Sequence, residues 1–212
     1  MRIYVIRHGE TDLNVRGVLQ GWLDAPLNDS GRLLAGITGR ALRGVRFDGC
    51  FSSPLRRARE TAETVLYESA NPVPIVTDER LKEIFFGDRD GSRMTPEEAQ
   101  RFFTDPFSAG RFPGGEGVPD VCARTQAFLA ELTARDDGKT YLVSTHGCAM
   151  RAMLNRLYDD PRDYWHGHVP YNCSVTVVEA EGGRARIAQD DRIFYDAKYI
   201  VDRYKLRNLS LK

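Results

Sequence analysis

No stretch of this sequence comes near the roughly 18 consecutive apolar residues that a membrane-spanning helix needs. The opening MRIYVIRHGE meets charge after too few apolar residues for a secretory leader, so a soluble, cytoplasmic protein is expected. Cysteine is scarce. Cys50, Cys122, Cys148 and Cys173 are far apart and form no C-x-x-C pair, which excludes a dense disulfide framework and leaves four reduced, mostly buried thiols. An excess of either charge is missing too: 30 Lys+Arg balance 30 Asp+Glu, so no overall field directs the chain to nucleic acid or to a membrane surface. The sequence also lacks a G-x-S-x-G elbow, a GxxxxGK[ST] loop and Cys/His metal spacing. The local placement of charge must therefore identify any ligand.

What is present suits one globular domain over residues 1–212. Apolar residues make up 42% and charged residues 28%, and no repeat or linker divides the chain. Short apolar runs alternate with helical patterns, the mark of an α/β fold. Strands are expected at Ile3 to Ile6, Cys50 to Ser52, Tyr141 to Ser144 and Ser174 to Val178, with further β segments near Pro74 to Thr77 and Ala185 to Gln189. Asn28 is a good N-cap for a helix with a Leu33, Leu34, Ile37, Ala41 stripe. A second helix follows Ser53, read as N-cap, and Pro54, with Ala58, Ala62, Val65 and Leu66 on its inner face. A third carries Val118, Val121, Cys122, Thr125, Phe128, Leu129 and Leu132 at helical spacing, and a core helix is expected from about Cys148 to Leu157.

Residues 85–116 break this rhythm: glycine, proline, aromatic and arginine residues surround one short helix that Thr95 and Pro96 start. A long irregular insertion in a compact domain is often functional, and this one is read as cap-like, the alternative being a surface excursion with only structural duties. Its arginines Arg93, Arg101 and Arg111 favour an acidic compound, whereas Phe102, Phe103, Phe107 and Phe112 either line an apolar pocket or pack the insertion down. Beyond it, a C-terminal extension at 192–212 carries six Lys/Arg against two Asp.

Two of the four histidines end apolar strands in matching fashion: IYVI runs into Arg7-His8-Gly9, and YLVS into Thr145-His146-Gly147. Ligands of open α/β sheets bind at the carboxyl ends of strands, so both imidazoles are expected to face one crevice. At a third strand-to-helix junction, Arg56, Arg57 and Arg59 crowd a helix start, where the macrodipole disfavours cations. Glu60 accounts for Arg56 at i,i+4, but Arg57 has Thr61 there, and a bound anion explains it better than solvent does. With Arg7, the crevice holds two guanidinium forks suited to a phosphate's oxygens. Histidine is a recognised covalent nucleophile, and Glu83, just before the insertion, is available as an acid for a leaving alcohol. The His166-Gly167-His168 pair has no evident third or fourth ligand, so no metal and no cofactor are expected.

These residues resemble the histidine phosphatase superfamily, in its phosphoglycerate-mutase-like branch. Arg7-His8-Gly9-Glu10-Thr11, then Asn14 and Gln20-Gly21, with Pro26-Leu27 and Gly31-Arg32, are similar to the family's opening motif. Ser52-Ser53-Pro54-Leu55 with Arg57-Ala58 and Thr61-Ala62 resembles its second block. Leu81, Glu83 and Gly87 resemble the third, Pro113-Gly114-Gly115-Glu116 the fourth and His146-Gly147 the fifth, in order from about residue 2 to 178. The chain departs from the family at Asp88-Arg89-Asp90-Gly91, where many relatives carry Trp and Glu, and at Gly117, where Ser is usual. These differences touch the rim of the site, so the resemblance carries no particular substrate.

The resemblance implies a three-layer α/β/α sandwich with a mostly parallel mixed sheet, and no metal. It implies His8 as the nucleophile that becomes phosphohistidine, and Glu83 as proton donor. Arg7, Arg57 and His146 would hold the phosphoryl group, with Asn14 and Gly147 as further donors and Gln20 and Gly21 near the substrate. The partner is then a small phosphorylated metabolite, and hydrolysis is the expected outcome. The alternatives are a phosphoglycerate mutase and an inactive relative that binds a phosphorylated ligand. Only 31 residues separate Glu83 from Gly115, closer to the phosphatase pattern than to the longer, enclosing insertion of the mutases. Oligomeric state stays open, a homodimer being one option.

Overall fold

The computed structural model describes residues 1–200. Its six-stranded sheet has the order β3-β2-β4-β1-β5-β6. Strands β1 (Arg2–Arg7), β2 (Gly49–Ser52), β3 (Ile75–Thr77) and β4 (Thr140–Thr145) run parallel, while β5 (Val175–Glu181) is antiparallel to β1 and β6 (Arg184–Arg192) to β5. All six strands fall where the apolar runs placed them. Alternation along the strands supplies two faces. Ile6, Cys50 and Leu142 pack beneath α2 (Asp29–Ala41) and α3 (Arg56–Glu68), whereas Ile3, Val5 and Val143 pack beneath α5 (Val118–Thr133) and α6 (Gly147–Leu154). The result is the expected three-layer α/β/α sandwich with a mixed sheet.

The α5 stripe is buried at all seven expected positions. The α2 stripe is not: Leu33 stays 46% exposed and Ala41 is exposed, while Ala35, Thr38 and Gly39 turn inward. Close approach of α3 is the reason, because a Cβ on Gly39 would lie 2.7 Å from Glu68 Cβ and 2.8 Å from the Val65 carbonyl oxygen. The start of α3 also differs from expectation. It begins at Arg56, Leu55 occupies the cap position without a side-chain cap, and Asp24 Oδ1 accepts the Arg56 N–H from outside at 2.5 Å.

A short helix, α1 (Asp12–Arg16), was not anticipated; Thr11 and Asn14 close it with a capping box. Within 85–116, Thr95 and Pro96 do start a helix, α4 (Pro96–Thr104). Phe86, Phe102 and Phe112 stack edge-on and join Trp165 and Tyr164 in a cluster that fastens the insertion to α5 and α6. All four cysteines are buried and free. The first part of the C-terminal extension packs on the domain, with Tyr195 buried and Ile193, Phe194 and Ile200 against the core; residues 201–212 lie outside the described residues. Among the described residues no helix is long and apolar enough to cross a membrane.

Candidate active site

β1 and β4 are neighbours in register, with Arg7 opposite Thr145, so the residues that follow each strand emerge side by side. His8 and His146 therefore meet with ring centroids 5.1 Å apart, one of them 3% exposed and the other fully buried. The backbone around His8 is tied down on three sides: its N–H donates to Thr145 O, its carbonyl accepts from Asn172 Nδ2, and Gly9 N–H donates to Thr61 Oγ1. Gly9 is required here, since a Cβ would stand 2.7 Å from the Gly31 carbonyl oxygen.

His8 Nδ1 lies 2.7 Å from the Gly9 carbonyl, an acceptor, which fixes the proton on Nδ1 and leaves the lone pair on Nε2. Burial, then the charges of Arg57 and Arg7, hold the imidazole well below its usual 6.5. It is neutral near pH 7, with its lone pair on Nε2. A cavity opens beside it, lined at its polar end by Arg7, His8, Asn14, Gln20, Glu83 and Gly147. A larger groove of about 1110 Å³ lies at the opposite ends of the strands, by Arg2, Thr140, Glu179 and Arg184, and its lining has no histidine or cysteine.

Glu83 is 9% exposed, and its carboxylate sits at the start of α6. Oε1 accepts from Ile84 N–H (3.0 Å) and Ala149 N–H (2.9 Å), and Oε2 from Cys148 N–H (3.1 Å), which aims the group at the cavity it lines with His8. Arg7, the last residue of β1, also lines the cavity and donates through Nη1 to the Pro170 carbonyl. Asn14 spends Oδ1 on the Thr11 N–H, and Gln20 accepts from Thr11 Oγ1 with Oε1 while its buried Nε2 has no partner among the described residues.

Arg57 and His146 lie beside His8 and outside the cavity lining. The fully buried guanidinium gives Nε to His146 Nδ1 (3.1 Å), Nη1 to Leu23 O (2.8 Å) and Nη2 to Gln20 O and Gly21 O (3.2 and 2.8 Å). Its bonds go to carbonyls and an imidazole rather than to Glu60, which pairs with Arg56 at 2.6 Å. With Nδ1 accepting, His146 Nε2 carries the proton and donates to Ser53 Oγ at 2.7 Å. Ser53 thus serves a site histidine rather than capping α3. Burial, followed by Arg57, lowers His146 well below 6.5, and burial pushes Arg57 down to about 10. Gly21 is close by but outside the cavity lining, its N–H taken by Asp90 Oδ1 and its carbonyl by Arg57.

Two supports carried no recognisable sequence signal. Arg124 on α5 donates to the carbonyls of Arg80, Lys82 and Glu83 and to both Glu116 oxygens, so it clamps the segment that bears Glu83. Asp90 accepts the N–H groups of Gly21 and Trp22 and fixes the loop whose carbonyls hold Arg57. The His166–His168 pair is used otherwise: His166 stacks on Tyr158 and His168 pairs with Asp191.

The sequence profile of the histidine phosphatase superfamily (branch 1) matches residues 3–190. The chain belongs to this superfamily. Among its relatives is an adenosylcobalamin/alpha-ribazole phosphatase of Salmonella typhimurium, 31% identical over 188 residues, covering 86% of this chain and 92% of that one. Another is a 2,3-bisphosphoglycerate-dependent phosphoglycerate mutase of Cytophaga hutchinsonii, 30% identical over 173 residues, covering 77% and 81%. The solved structure of Bacillus stearothermophilus YhfR superposes with a TM-score of 0.84 at 34% identity, covering 91% of this chain and 97% of that one. Phosphatases and mutases both occur among the relatives, and these names support an enzyme of phosphoryl transfer.

Proposed function

We propose that this member of the histidine phosphatase superfamily is a phosphomonoesterase that hydrolyses a small phosphorylated metabolite through phosphohistidine on His8, needing no metal or cofactor. The observation that carries the reading is the fixed tautomer of a neutral, buried His8, whose free Nε2 belongs to a cavity shared with Arg7 and Glu83. The chain acts as one domain, with residues 85–116 as a cap over the cavity.

In the first step His8 Nε2 attacks phosphorus, the ester P–O bond breaks, and Glu83 gives its proton to the departing alkoxide. Nδ1–H stays on the Gly9 carbonyl, where it stabilises the charge that forms on the ring. Arg7, Asn14 Nδ2 and the Gly147 N–H bind the phosphoryl oxygens, and Gln20 Nε2 is a further donor. Arg57 supplies positive charge from beside the cavity, and neutral His146, bonded to Arg57 and Ser53, holds that guanidinium in place. In the second step water attacks phosphorus, Glu83 takes its proton, the N–P bond breaks, and inorganic phosphate leaves. Gly21 acts from behind, through its bonds to Arg57 and Asp90.

The test is hydrolysis of an aryl phosphate by wild type and His8→Ala in the presence of a chelator, with acid-labile phosphate trapped on the protein in a rapid quench. Turnover and trapping by wild type alone support the reading. Turnover by His8→Ala removes the nucleophile from it. The named mutases among the relatives favour a second outcome, return of the phosphoryl group to phosphoglycerate, and interconversion of phosphoglycerates without phosphate release would establish it.

A further inference from the structure

The cavity changes character away from His8. Its remaining wall is apolar: Val18, Met94, Phe102, Phe103, Trp165 and Val169 line it. Phe102 packs edge-on against Phe103 and Trp165 at 5.4 and 5.3 Å, and Trp165 spends Nε1–H on the Phe102 carbonyl at 3.0 Å, so the indole keeps no donor for a ligand. Among the described residues, Arg7 is the only lysine or arginine in the lining. The arginines of the insertion lie elsewhere. Arg101 and Arg111 face a separate concavity with Phe112, Arg111 is held by Asp120 at 2.6 Å, and Arg93 is exposed outside the lining.

An ester with a second acidic group would press that group against aromatic and aliphatic carbon once its phosphoryl lay on His8. A charge left there without a partner is heavily disfavoured, whereas a ring or alkyl group leaves water for a matching surface. We infer that the substrates are phosphate monoesters of uncharged, apolar alcohols, ring-bearing ones foremost, and that esters carrying a carboxylate or a second phosphate are selected against. This rests on the assignment of the phosphoryl site to His8. The same wall argues against phosphoglycerate chemistry, and the phenylalanines divide between the two uses: Phe102 and Phe103 line the cavity, Phe102 also packs the insertion down with Phe112, and Phe107 packs on Tyr164.

The test compares kcat/KM for benzyl phosphate, glycerol 1-phosphate and 3-phosphoglycerate. All three are esters of primary alcohols, so leaving-group acidity does not dominate the ranking. Benzyl phosphate is expected to exceed glycerol 1-phosphate by at least about tenfold, and 3-phosphoglycerate by more. Met94→Lys, which puts a cation into the wall, should shift the benzyl to phosphoglycerate ratio by at least about tenfold towards phosphoglycerate. Equal or reversed preference in the wild type overturns the inference and leaves the phosphatase reading in place. Calorimetry with benzylphosphonate and 3-phosphonopropionate reads the wall without turnover. Tighter benzylphosphonate supports the inference even if hydrolysis fails, and tighter 3-phosphonopropionate overturns it.

Discussion

Acidification reads the burial of the two site histidines directly. In the folded chain His8 and His146 are held well below 6.5, by burial first and by Arg57 next. In the unfolded chain both take up a proton near 6.5. Between those two values the unfolded state binds more protons, so stability is complete above about pH 6.5 and falls as the pH drops. Each imidazole contributes a slope of about 1.4 kcal/mol per pH unit once the unfolded chain is protonated, and the pair gives about 2.7 kcal/mol per unit. His166, lowered mainly by its burial, adds a smaller share of the same sign. Urea unfolding from pH 7.5 to 5.0, on wild type and His8→Asn, measures this. The wild type should be flat at the top of the range and lose stability below it, while His8→Asn should lose it less steeply by about 1.4 kcal/mol per unit. Identical slopes would refute the claim that His8 is held neutral in the fold, and with it the ground for proposing it as nucleophile.

Arg124→Gln should lower kcat by at least about tenfold with a smaller change in KM, because Glu83 loses its backbone clamp rather than a contact to substrate. The same variant should lose about 2 kcal/mol of stability through the carbonyls it leaves unpaired, measured by urea unfolding, and a KM effect alone would argue against a positioning role. Gly31→Ala places a Cβ 2.2 Å from the Glu10 carbonyl oxygen, in the turn that supports His8, and should cost about 1–3 kcal/mol in the same assay. Inorganic phosphate at 100 times its Kd should stabilise the wild type by about 2.7 kcal/mol and Arg7→Leu far less; no shift in the wild-type midpoint would count against an anion site.

The sheet and most helices were legible because their signals are local. β1, β2, β4 and β5 are short apolar runs, and α5 repeats its apolar residues at helical spacing over its whole length. The inner face of α2 departs from its apolar stripe, since close helix contact selects Ala35 and Gly39 over the larger Leu33, and hydrophobicity does not encode that preference. His8, His146, Arg7 and Arg57 were legible as a group because strand ends and helix starts converge in an open α/β sheet. Glu83 needed the family motif. Arg124 and Asp90 escaped altogether: each acts through backbone groups far along the chain, on carbonyls at 80–83 and on N–H groups at 21 and 22, and no sequence spacing records such a partner.

The two supports fix Arg57 and Glu83 in turn, Asp90 the first and Arg124 the second. A fully buried guanidinium is costly unless acceptors surround it, and here three of those acceptors are carbonyls of residues 20, 21 and 23, in a loop without regular structure. Such a loop keeps its carbonyls in place only if something else pins it. Asp90 does so through the N–H groups at 21 and 22, and Gly21 permits the approach, since a Cβ there would meet the Ile84 carbonyl oxygen at 2.5 Å. The segment just before Asp90 carries Glu83 and is gripped in turn by Arg124. The Arg57 guanidinium and the Glu83 carboxylate are thus fixed through one connected framework. The guanidinium and the carboxylate are therefore in place ahead of any ligand, which is the preorganisation that the proposed phosphoryl transfer requires.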